Sequence, residues 1–290
     1  RYAPWPPRAR VRHHRPTHMN ERALILVTGS TDGIGLETAM QLARSGADVL
    51  LHGRSEARVA AAHDKVQREA GRTLPRGVLA DFASLASVRA MTDALEEAGT
   101  RPTVLVNNAG IFCNERSLSA EGFELTMAVN HLAPLLLTHL LLAHEGARIA
   151  RIVNVSSMAH QGGRVDVTDV GLKKRRFDAY GMYAASKLAN VLCSNELARR
   201  LPGVAVNALH PGVVSTKLLT EGFGMQGGDT LEESAATSVM LAVEPAYASA
   251  TGGYYARKRA TSPSASARDA ELARAFYEAS AEAIGVRALA

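Results

Sequence analysis

Short apolar runs that alternate with segments of helical periodicity constrain the fold of this chain more than any other feature. The runs occupy residues 24–27, 49–51, 77–80, 104–106, 151–155 and 204–208. Helical spacing is found at residues 35–45, 55–70, 84–98, 121–143, 180–200 and 232–243. Short strands that are apolar throughout are typical of a parallel sheet covered by helices on both faces. The sequence therefore predicts a doubly wound α/β fold, with a seventh strand at 253–256.

Length and charge predict a single domain with a basic leader. The chain has 290 residues, 47% of them apolar, which is enough for one large domain over residues 19–290. Five of its 33 basic residues lie within residues 1–18, which hold no acid, so the remaining 28 balance the 28 acidic residues. We expect this leader to be a disordered extension or an expression remnant, with Met19 as the native start. A basic arm that binds nucleic acid is the less favoured alternative.

Hydropathy and cysteine spacing predict neither a membrane span nor a metal site. The longest apolar run, residues 132–143, is interrupted by Pro134 and His139 and is shorter than the ~20 residues of a span. Cys113 and Cys193 follow no metal-binding spacing, so we expect no disulfide framework and no metal. Two isolated thiols fit a reducing compartment, and the expected location is the cytoplasm.

A glycine-rich turn follows the first predicted strand and leads into the first predicted helix. A strand, a tight turn and a helix N-terminus together hold the pyrophosphate of a dinucleotide. The second strand ends about 20 residues further on, as that interpretation requires. The predicted cofactor contacts in this turn are Gly29, Ser30, Thr31, Asp32, Gly33, Ile34 and Gly35.

The end of the second strand favours NADP(H) over NAD(H). A carboxylate there would accept a hydrogen bond from the ribose 2′-hydroxyl and would repel a 2′-phosphate. This chain has Arg54 instead, and Asp48 lies at the opposite end of the strand. The planar guanidinium of Arg54 suits a phosphate, and the hydroxyls of Ser30 and Ser55 could add contacts. An ordinary solvated arginine is the alternative for Arg54.

Tyr183 and Lys187 form the candidate catalytic pair. Residues four apart share one face of a helix, so the Lys187 ammonium would lie beside the Tyr183 phenol and make it a stronger acid. Such a phenol can pass a proton near neutral pH, and with a hydride carrier this predicts carbonyl–alcohol chemistry. The spacing alone is common by chance. The catalytic interpretation is supported by the position of the pair in the chain, after Ser157 and before the turn at residues 210–212.

These motifs together resemble the short-chain dehydrogenase/reductase family over residues 23–260. The turn has the family's Thr-Gly-x-x-x-Gly-x-Gly pattern, and residues 107–110 resemble its Asn-Asn-Ala-Gly element. The resemblance implies that Ser157 binds the substrate oxygen, that Asn130 holds a water, and that Lys187 also bonds the nicotinamide ribose. It further implies cofactor contacts from Asp81, Phe82, Asn108, Ala109, Gly110, Tyr183, Lys187, Pro211, Gly212, Val213 and Thr216.

Neighbours of these residues are assigned lesser roles. Ser156 is expected to point away from the substrate. His160 is interpreted as a loop histidine rather than a base, because the tyrosine already supplies the proton. Tyr180 has no lysine four residues on, so we assign it to packing or substrate contact.

The 26-residue interval from Ser157 to Tyr183 is similar to that of the retinol-dehydrogenase-like subgroup, as are residues 154–160 and 183–190. This resemblance implies a hydrophobic alcohol, aldehyde or ketone as substrate, with residues 158–182 and 212–230 as candidate walls. The basic run at 173–176 is interpreted as a solvated loop in preference to a guide for anionic substrates. Leucines on the face of the 123–143 helix are expected in the core or in a homodimer or homotetramer contact.

Two classes of function follow from these observations. The favoured one is an NADP(H)-dependent oxidoreductase that uses Asn130, Ser157, Tyr183 and Lys187. The alternative is a catalytically idle NADP-binding sensor or scaffold on the same fold, because a fold does not fix a function. An activated phenol argues against the second, since a binding module does not need one.

Overall fold

The structure is a computed structural model that describes residues 22–289. The predicted leader at residues 1–18 lies outside the described residues.

An eight-stranded sheet in the order β3-β2-β1-β4-β5-β6-β7-β8 forms the centre of the fold. All neighbouring strands are parallel except β7 and β8. This confirms the predicted doubly wound α/β fold and its seventh strand, whereas β8 was not predicted. The strands are β1 (Leu24–Val27), β2 (Asp48–Gly53), β3 (Val78–Leu79), β4 (Val104–Asn107), β5 (Arg151–Val155), β6 (Ala205–His210), β7 (Tyr254–Ala256) and β8 (Arg259–Ala260).

Helices cover both faces of the sheet, and each face has its own hydrophobic core. Helices α1, α2 and α7 pack on one face, and α3, α5, α6 and α8 pack on the other. The helices are α1 (Gly33–Arg44), α2 (Glu56–Ala70), α3 (Leu85–Glu97), α4 (Leu125–Met127), α5 (Ala133–Ala143), α6 (Ala179–Arg200), α7 (Leu231–Val243) and α8 (Ala270–Ala283).

Side-chain caps set where several of these helices begin. The Asp178 carboxylate accepts from the Gly181 amide at the start of α6. Thr230 and Glu233 form a reciprocal capping box at the start of α7. Each cap satisfies amides that have no partner within the helix, so the capping residue defines the first turn.

The helical run Leu125–Ala143 contains a π-helical segment, Ala128–Leu132, between α4 and α5. By length and composition this run could cross a membrane, but 83% of it is buried inside the fold. Leu132, Leu135 and Leu136 are at most 4% exposed and belong to the core. The leucine face that we expected in the core or in a subunit contact is therefore part of the core.

The carboxyl ends of the parallel strands meet at one edge of the sheet, where the strand order reverses between β1 and β4. Ligands of open α/β sheets bind at such a point. The loops that follow β1, β2, β4, β5 and β6 all emerge there, and they carry Ser157 and many of the predicted cofactor contacts.

Helix α8 was missed in the sequence, although its signals are present. Asp269 caps it by accepting from the amides of Glu271 and Leu272, and Gly285 follows it with a φ of +70°. A capping aspartate before helix-forming residues and a glycine after them are the usual boundary signals. Packing on α6 buries Phe276 and Tyr277 completely.

Tyr277 ties α8 to α5 and to the last described residues. Its hydroxyl accepts from the Leu289 amide at 3.0 Å and bonds His139 Nε2 at 3.1 Å. Since burial lowers the pKa of His139 to about 4, this ring is neutral, and a single proton joins its Nε2 to the tyrosine hydroxyl.

We expect Tyr277→Phe to lower the free energy of unfolding by about 2 kcal/mol, because two buried polar groups lose their partner. Urea denaturation followed by circular dichroism measures the change. Tyr247→Phe, at a half-buried tyrosine that meets Tyr255 through its ring, is the matched control and should stay within about 0.5 kcal/mol. Equal stability of the two variants would contradict the role given to the Tyr277 hydroxyl.

Candidate active site

The glycine turn after β1 has the shape of a phosphate cradle. Gly29 and Gly33 have φ values of +63° and +54°, which other residues rarely adopt. A Cβ at Gly35 would overlap Asn108 Nδ2 and the Gly29 carbonyl, and one at Gly29 would lie 2.8 Å from Ala109 Cα. The turn therefore needs glycine at these positions, and it presents the N-terminus of α1 to a ligand.

Residues after β4 hold this turn in place. The Asn108 amide group donates to the carbonyls of Thr28 and Gly29 at 2.9 and 3.2 Å. The Thr28 hydroxyl accepts from the backbone amides of Asn108 and Ala109 at 2.9 and 3.0 Å. Asn108 thus acts through its side chain on the turn, and Ala109 lies against it.

His52, at the end of β2, is a second support for the turn that the sequence did not reveal. Its Nδ1 accepts from the Gly29 amide at 3.1 Å, and its Nε2 bonds the Ala80 carbonyl at 3.1 Å. Burial lowers the pKa of His52 to about 4, so the ring stays neutral and can accept from Gly29. The Ser30 hydroxyl is fully buried and bonds the backbone of His52, so the phosphate contact expected of it is not available.

Arg54 and Ser55 lie between β2 and α2. The Arg54 side chain is exposed, and the Ser55 side chain makes no cap bond at the N-terminus of α2. Asp48 lies at the other end of β2, where it pairs with Arg72. This strand end therefore presents an exposed guanidinium and no carboxylate to a ligand.

Two predicted cofactor contacts follow β3 and differ in the groups that they expose. Asp81 is exposed, and its carboxylate accepts from the Ala83 amide at 3.0 Å. Phe82 is only 4% exposed, and its ring stacks on His52 at 4.5 Å. The ring of Phe82 belongs to the core, so only its backbone remains for a ligand.

The Ser157 hydroxyl, just after β5, lies within hydrogen-bonding reach of the Tyr183 phenol on α6. The Lys187 ammonium lies 5.4 Å from the centre of the Tyr183 ring and donates to the Val155 carbonyl at 3.1 Å. The structure therefore brings together the three residues that the sequence selected from separate segments. Ser156 points away from them, since its hydroxyl donates to the Lys187 carbonyl at 2.7 Å.

The acidity expected of Tyr183 is not found in this structure. Burial raises the pKa of Tyr183 to about 12, although the bond with Ser157 acts in the opposite direction. Burial also lowers the pKa of Lys187 to about 8. The sequence argument counted the attraction of the two groups and omitted the cost of removing both from water.

Asn130 lies in the π-helical segment and is 1% exposed. Its side-chain oxygen accepts from the Ile111 amide at 2.7 Å. Its side-chain nitrogen donates to the Ile111 carbonyl at 3.0 Å and to the Ser186 hydroxyl at 3.1 Å. With both amide protons used, the side chain fixes the loop after β4 beside α6. A π-helical turn inside an α-helix often marks a functional position.

Two neutral histidines hold the backbone around Ser157. His160 Nε2 accepts from the Ser264 amide at 3.0 Å, so its Nδ1 carries the proton and donates to the Ser157 carbonyl at 2.7 Å. His210 Nδ1 accepts from the Met158 amide at 3.3 Å. His160 is 1% exposed and is therefore a buried support rather than the loop histidine that we expected.

The loop after β6 closes the site from the side opposite the Asn108 loop. Gly212 has a φ of +111°, and the Asp229 carboxylate accepts from the Val213 amide at 2.7 Å. A Cβ on Gly33 would lie 3.4 Å from Thr216 Cγ2, so the loop rests on the glycine turn. No motif in the sequence pointed to Asp229.

An ion pair joins this loop to the glycine turn across the same cleft. Lys217 lies 3.1 Å from the Asp32 carboxylate, which also pairs with Arg58. Both groups are more than half exposed, so the pair contributes little stability. Among residues 22–289, no cluster of three His, Cys, Asp or Glu side chains is suited to a metal ion.

Comparison with known proteins gives the family. Residues 23–226 match the short chain dehydrogenase family, so the chain belongs to this family of oxidoreductases. The chain is 37% identical over 283 residues to a candidate daunorubicin C-13 ketoreductase, DnrU, of Streptomyces sp. (strain C5), covering 94% of this chain and 96% of the relative. It is also 37% identical over 285 residues to retinol dehydrogenase 13 of Homo sapiens, covering 91% and 85%.

Solved structures agree with this assignment. An uncharacterised protein from Mycobacterium paratuberculosis has a TM-score of 0.77 at 30% identity, covering 92% of this chain and 94% of that one. A variant of actinorhodin polyketide ketoreductase with NADPH has a TM-score of 0.62 at 25% identity, covering 80% and 94%. The expected retinol-dehydrogenase-like membership is confirmed.

Neutral buried histidines make the fold sensitive to acid. Four histidines keep a pKa near 4 because burial disfavours their charged form, whereas in the unfolded chain they take up protons below pH 6.5. The unfolded state then binds more protons, so stability is lost as the pH falls from 6.5 toward 4. These residues are His52, His131, His139 and His210.

We expect the free energy of unfolding to decrease from pH 7 to pH 5, approaching about 1.4 kcal/mol per pH unit for each such histidine below pH 6. Urea denaturation at several pH values measures this slope. His139→Gln removes one of these four groups. It should therefore reduce the slope by up to about 1.4 kcal/mol per pH unit, whatever it does to the stability at pH 7. A stability that does not change between pH 7 and pH 5 would be incompatible with neutral buried histidines.

Proposed function

We propose that the protein is an NADP(H)-dependent oxidoreductase that interconverts a hydrophobic alcohol with its aldehyde or ketone. The observation that carries the proposal is the half-buried Ser157 hydroxyl close to the buried Tyr183 phenol and Lys187 ammonium, at the strand ends next to the glycine turn. A module that only binds a nucleotide has no use for this arrangement, which argues against an idle sensor or scaffold.

The residues divide the chemistry of the reaction among them. A bound nicotinamide cofactor supplies or accepts the hydride. The Ser157 hydroxyl binds the substrate oxygen, and Tyr183 donates a proton to that oxygen in reduction and removes it in oxidation. With a pKa raised by burial, Tyr183 is fully protonated at neutral pH, the form that reduction requires.

Lys187 and Asn130 are proposed as the supporting members of the set. Lys187 would bond the nicotinamide ribose, and its charged form would stabilise the phenolate that remains after proton transfer. Because the Asn130 amide is engaged with Ile111 and Ser186, a bound water would contact its backbone carbonyl. Both roles rest on the resemblance to the family.

The cofactor is proposed to be NADP(H), held by the predicted contacts around the glycine cradle. Arg54 and the N-terminus of α2 favour a 2′-phosphate, and β2 ends without a carboxylate at residues 52–55. The similar actinorhodin polyketide ketoreductase was solved with NADPH, which supports the choice.

The substrate is proposed to be an uncharged, hydrophobic small molecule. Relatives named as retinol dehydrogenases and as a candidate ketoreductase support this class. A cytoplasmic location is proposed because Cys113 and Cys193 are free thiols. A homodimer or homotetramer stays a prediction.

Oxidation of NADPH followed by absorbance, with a panel of aldehydes and ketones, tests the proposed reaction. Tyr183→Phe should lower kcat at least about 100-fold, because general acid–base catalysis is lost while the ring remains. Tyr247→Phe, remote from the strand ends, should keep the wild-type rate. Equal turnover by wild type and Tyr183→Phe would exclude Tyr183 as the proton donor and leave the sensor alternative.

Exchanging the charge at Arg54 tests the cofactor assignment. Arg54→Asp should lower the ratio of kcat/KM for NADPH to that for NADH at least about tenfold, since a charge-assisted bond to phosphate is replaced by repulsion. Arg68→Asp, in the last turn of α2, makes the same change of net charge at an exposed position away from the strand end. If both variants keep the wild-type ratio, Arg54 does not select the cofactor.

A further inference from the structure

Three aromatic side chains lie together beside Tyr183, two of them in contact with its ring. We call Phe112, Tyr180 and Phe223 the aromatic collar. They come from three separate elements: the loop after β4, the first turn of α6 and the loop after β6. Each of these three elements therefore contributes one ring to the entrance of the site.

The rings of the collar touch one another and Tyr183. Phe223 meets Tyr183 edge to face, with ring centres 5.1 Å apart at an angle of 83°. Phe112 lies 5.7 Å from Tyr183 and 4.1 Å from Phe223, and Tyr180 lies 6.2 Å from Phe223. The edge-to-face contacts of Phe223 with Tyr183 and Tyr180 have the favoured geometry of aromatic pairs.

The collar does not serve the packing of the fold. Its three residues belong to neither hydrophobic core, and Phe112 and Phe223 are half-buried while Tyr180 is 50% exposed. Aromatic residues make up only 5% of the chain, and two of its six phenylalanines lie here. Aromatic side chains are few in this chain, and three of them lie together outside the core beside the Tyr183 phenol. Such a cluster indicates a binding surface.

The position of Phe223 is fixed by a close approach of the backbone. A Cβ on Gly222 would lie 3.0 Å from Phe112 Cβ, so the loop rests directly on the Phe112 side chain. This contact sets the next residue, Phe223, over the Tyr183 ring. A larger residue at 222 would push the loop away from Phe112.

The outer rim of the entrance is apolar as well. Met158 follows Ser157 and is 55% exposed, Val213 follows the Gly212 turn and is 36% exposed, and Met225 is 53% exposed in the loop after β6. Methionine side chains adapt to the outline of an apolar ligand and make favourable contacts with aromatic rings. A ligand that passes the collar therefore meets apolar groups further out.

We propose that the collar selects substrates whose carbonyl group is attached to a flat aromatic ring, with Phe223 as the main specificity-determining residue. The inference rests on the proposed function, because the carbonyl oxygen must reach the hydroxyls of Ser157 and Tyr183. The group attached to that carbonyl then lies among the collar rings, after the Phe223 side chain has rotated off Tyr183 while the loop backbone stays on Phe112. An aromatic ring offers its face to their edges, whereas a saturated ring of the same size does not.

A matched pair of ketones tests the proposal: acetophenone and cyclohexyl methyl ketone have the same carbon skeleton and differ in aromaticity. For each enzyme the ratio of their kcat/KM values is measured with NADPH, and the change in this ratio cancels their different intrinsic reactivity. Phe223→Leu should lower the aryl-to-cyclohexyl ratio about tenfold, and Phe112→Leu should shift it in the same direction. Tyr247→Leu, which removes a ring from the edge-to-face pair with Tyr255 elsewhere, should leave the ratio within about twofold.

The dissociation constants of both ketones, measured by calorimetry in the presence of NADP+, separate this inference from the proposed reaction. A preference for acetophenone that disappears in Phe223→Leu supports the collar even if neither ketone is reduced, in which case the proposed reaction fails for these ketones. Turnover with an unchanged ratio in both leucine variants overturns the collar and leaves the reaction intact. An equal loss for both ketones also overturns it, because the rings would then only fasten the loop.

Discussion

Lys187 is bonded to the end of β5 through both its side chain and its backbone, and the arrangement of the site depends on this attachment. Its ammonium donates to the Val155 carbonyl, and its own carbonyl accepts from the Ser156 hydroxyl. These two bonds fix the position of α6 along β5. Tyr183, one turn earlier on the same helix face, is thereby placed beside Ser157. A shift of α6 by one residue would separate the two hydroxyls.

Neutral histidines extend this attachment into the surrounding loops. His160 and His210 both hold the peptide group between Ser157 and Met158, and His52 holds the glycine turn. Each ring accepts a hydrogen bond from a backbone amide, which only the uncharged form can do. Burial keeps these rings uncharged by disfavouring the imidazolium, so the same desolvation that makes them costly in acid makes them effective supports at neutral pH.

Much of the fold and part of the site could be read from the chain itself. The six apolar runs predicted β1 to β6, the glycine spacing predicted the turn that opens α1, and the Tyr183–Lys187 spacing selected the face of α6 that meets Ser157. Helix α8 was missed despite its Asp269 cap and Gly285, because the alternating strand and helix pattern had already ended. The leucine face at residues 132–136 could not be assigned to the core without the neighbours that cover it.

The sequence by itself determined the parallel sheet, the cradle at its switch point and the residue types of the reaction, because periodicity, glycine turns and helix spacing are local properties. Only the tertiary structure decided what depends on neighbours distant in the chain. It showed that burial outweighs the bond with Ser157 in setting the acidity of Tyr183, that His160 is a support for Ser157, and that Phe112 and Phe223 meet at the Tyr183 ring with Tyr180 beside Phe223. Desolvation and aromatic contacts arise from the packing of several segments at once, and no single stretch of sequence contains that information.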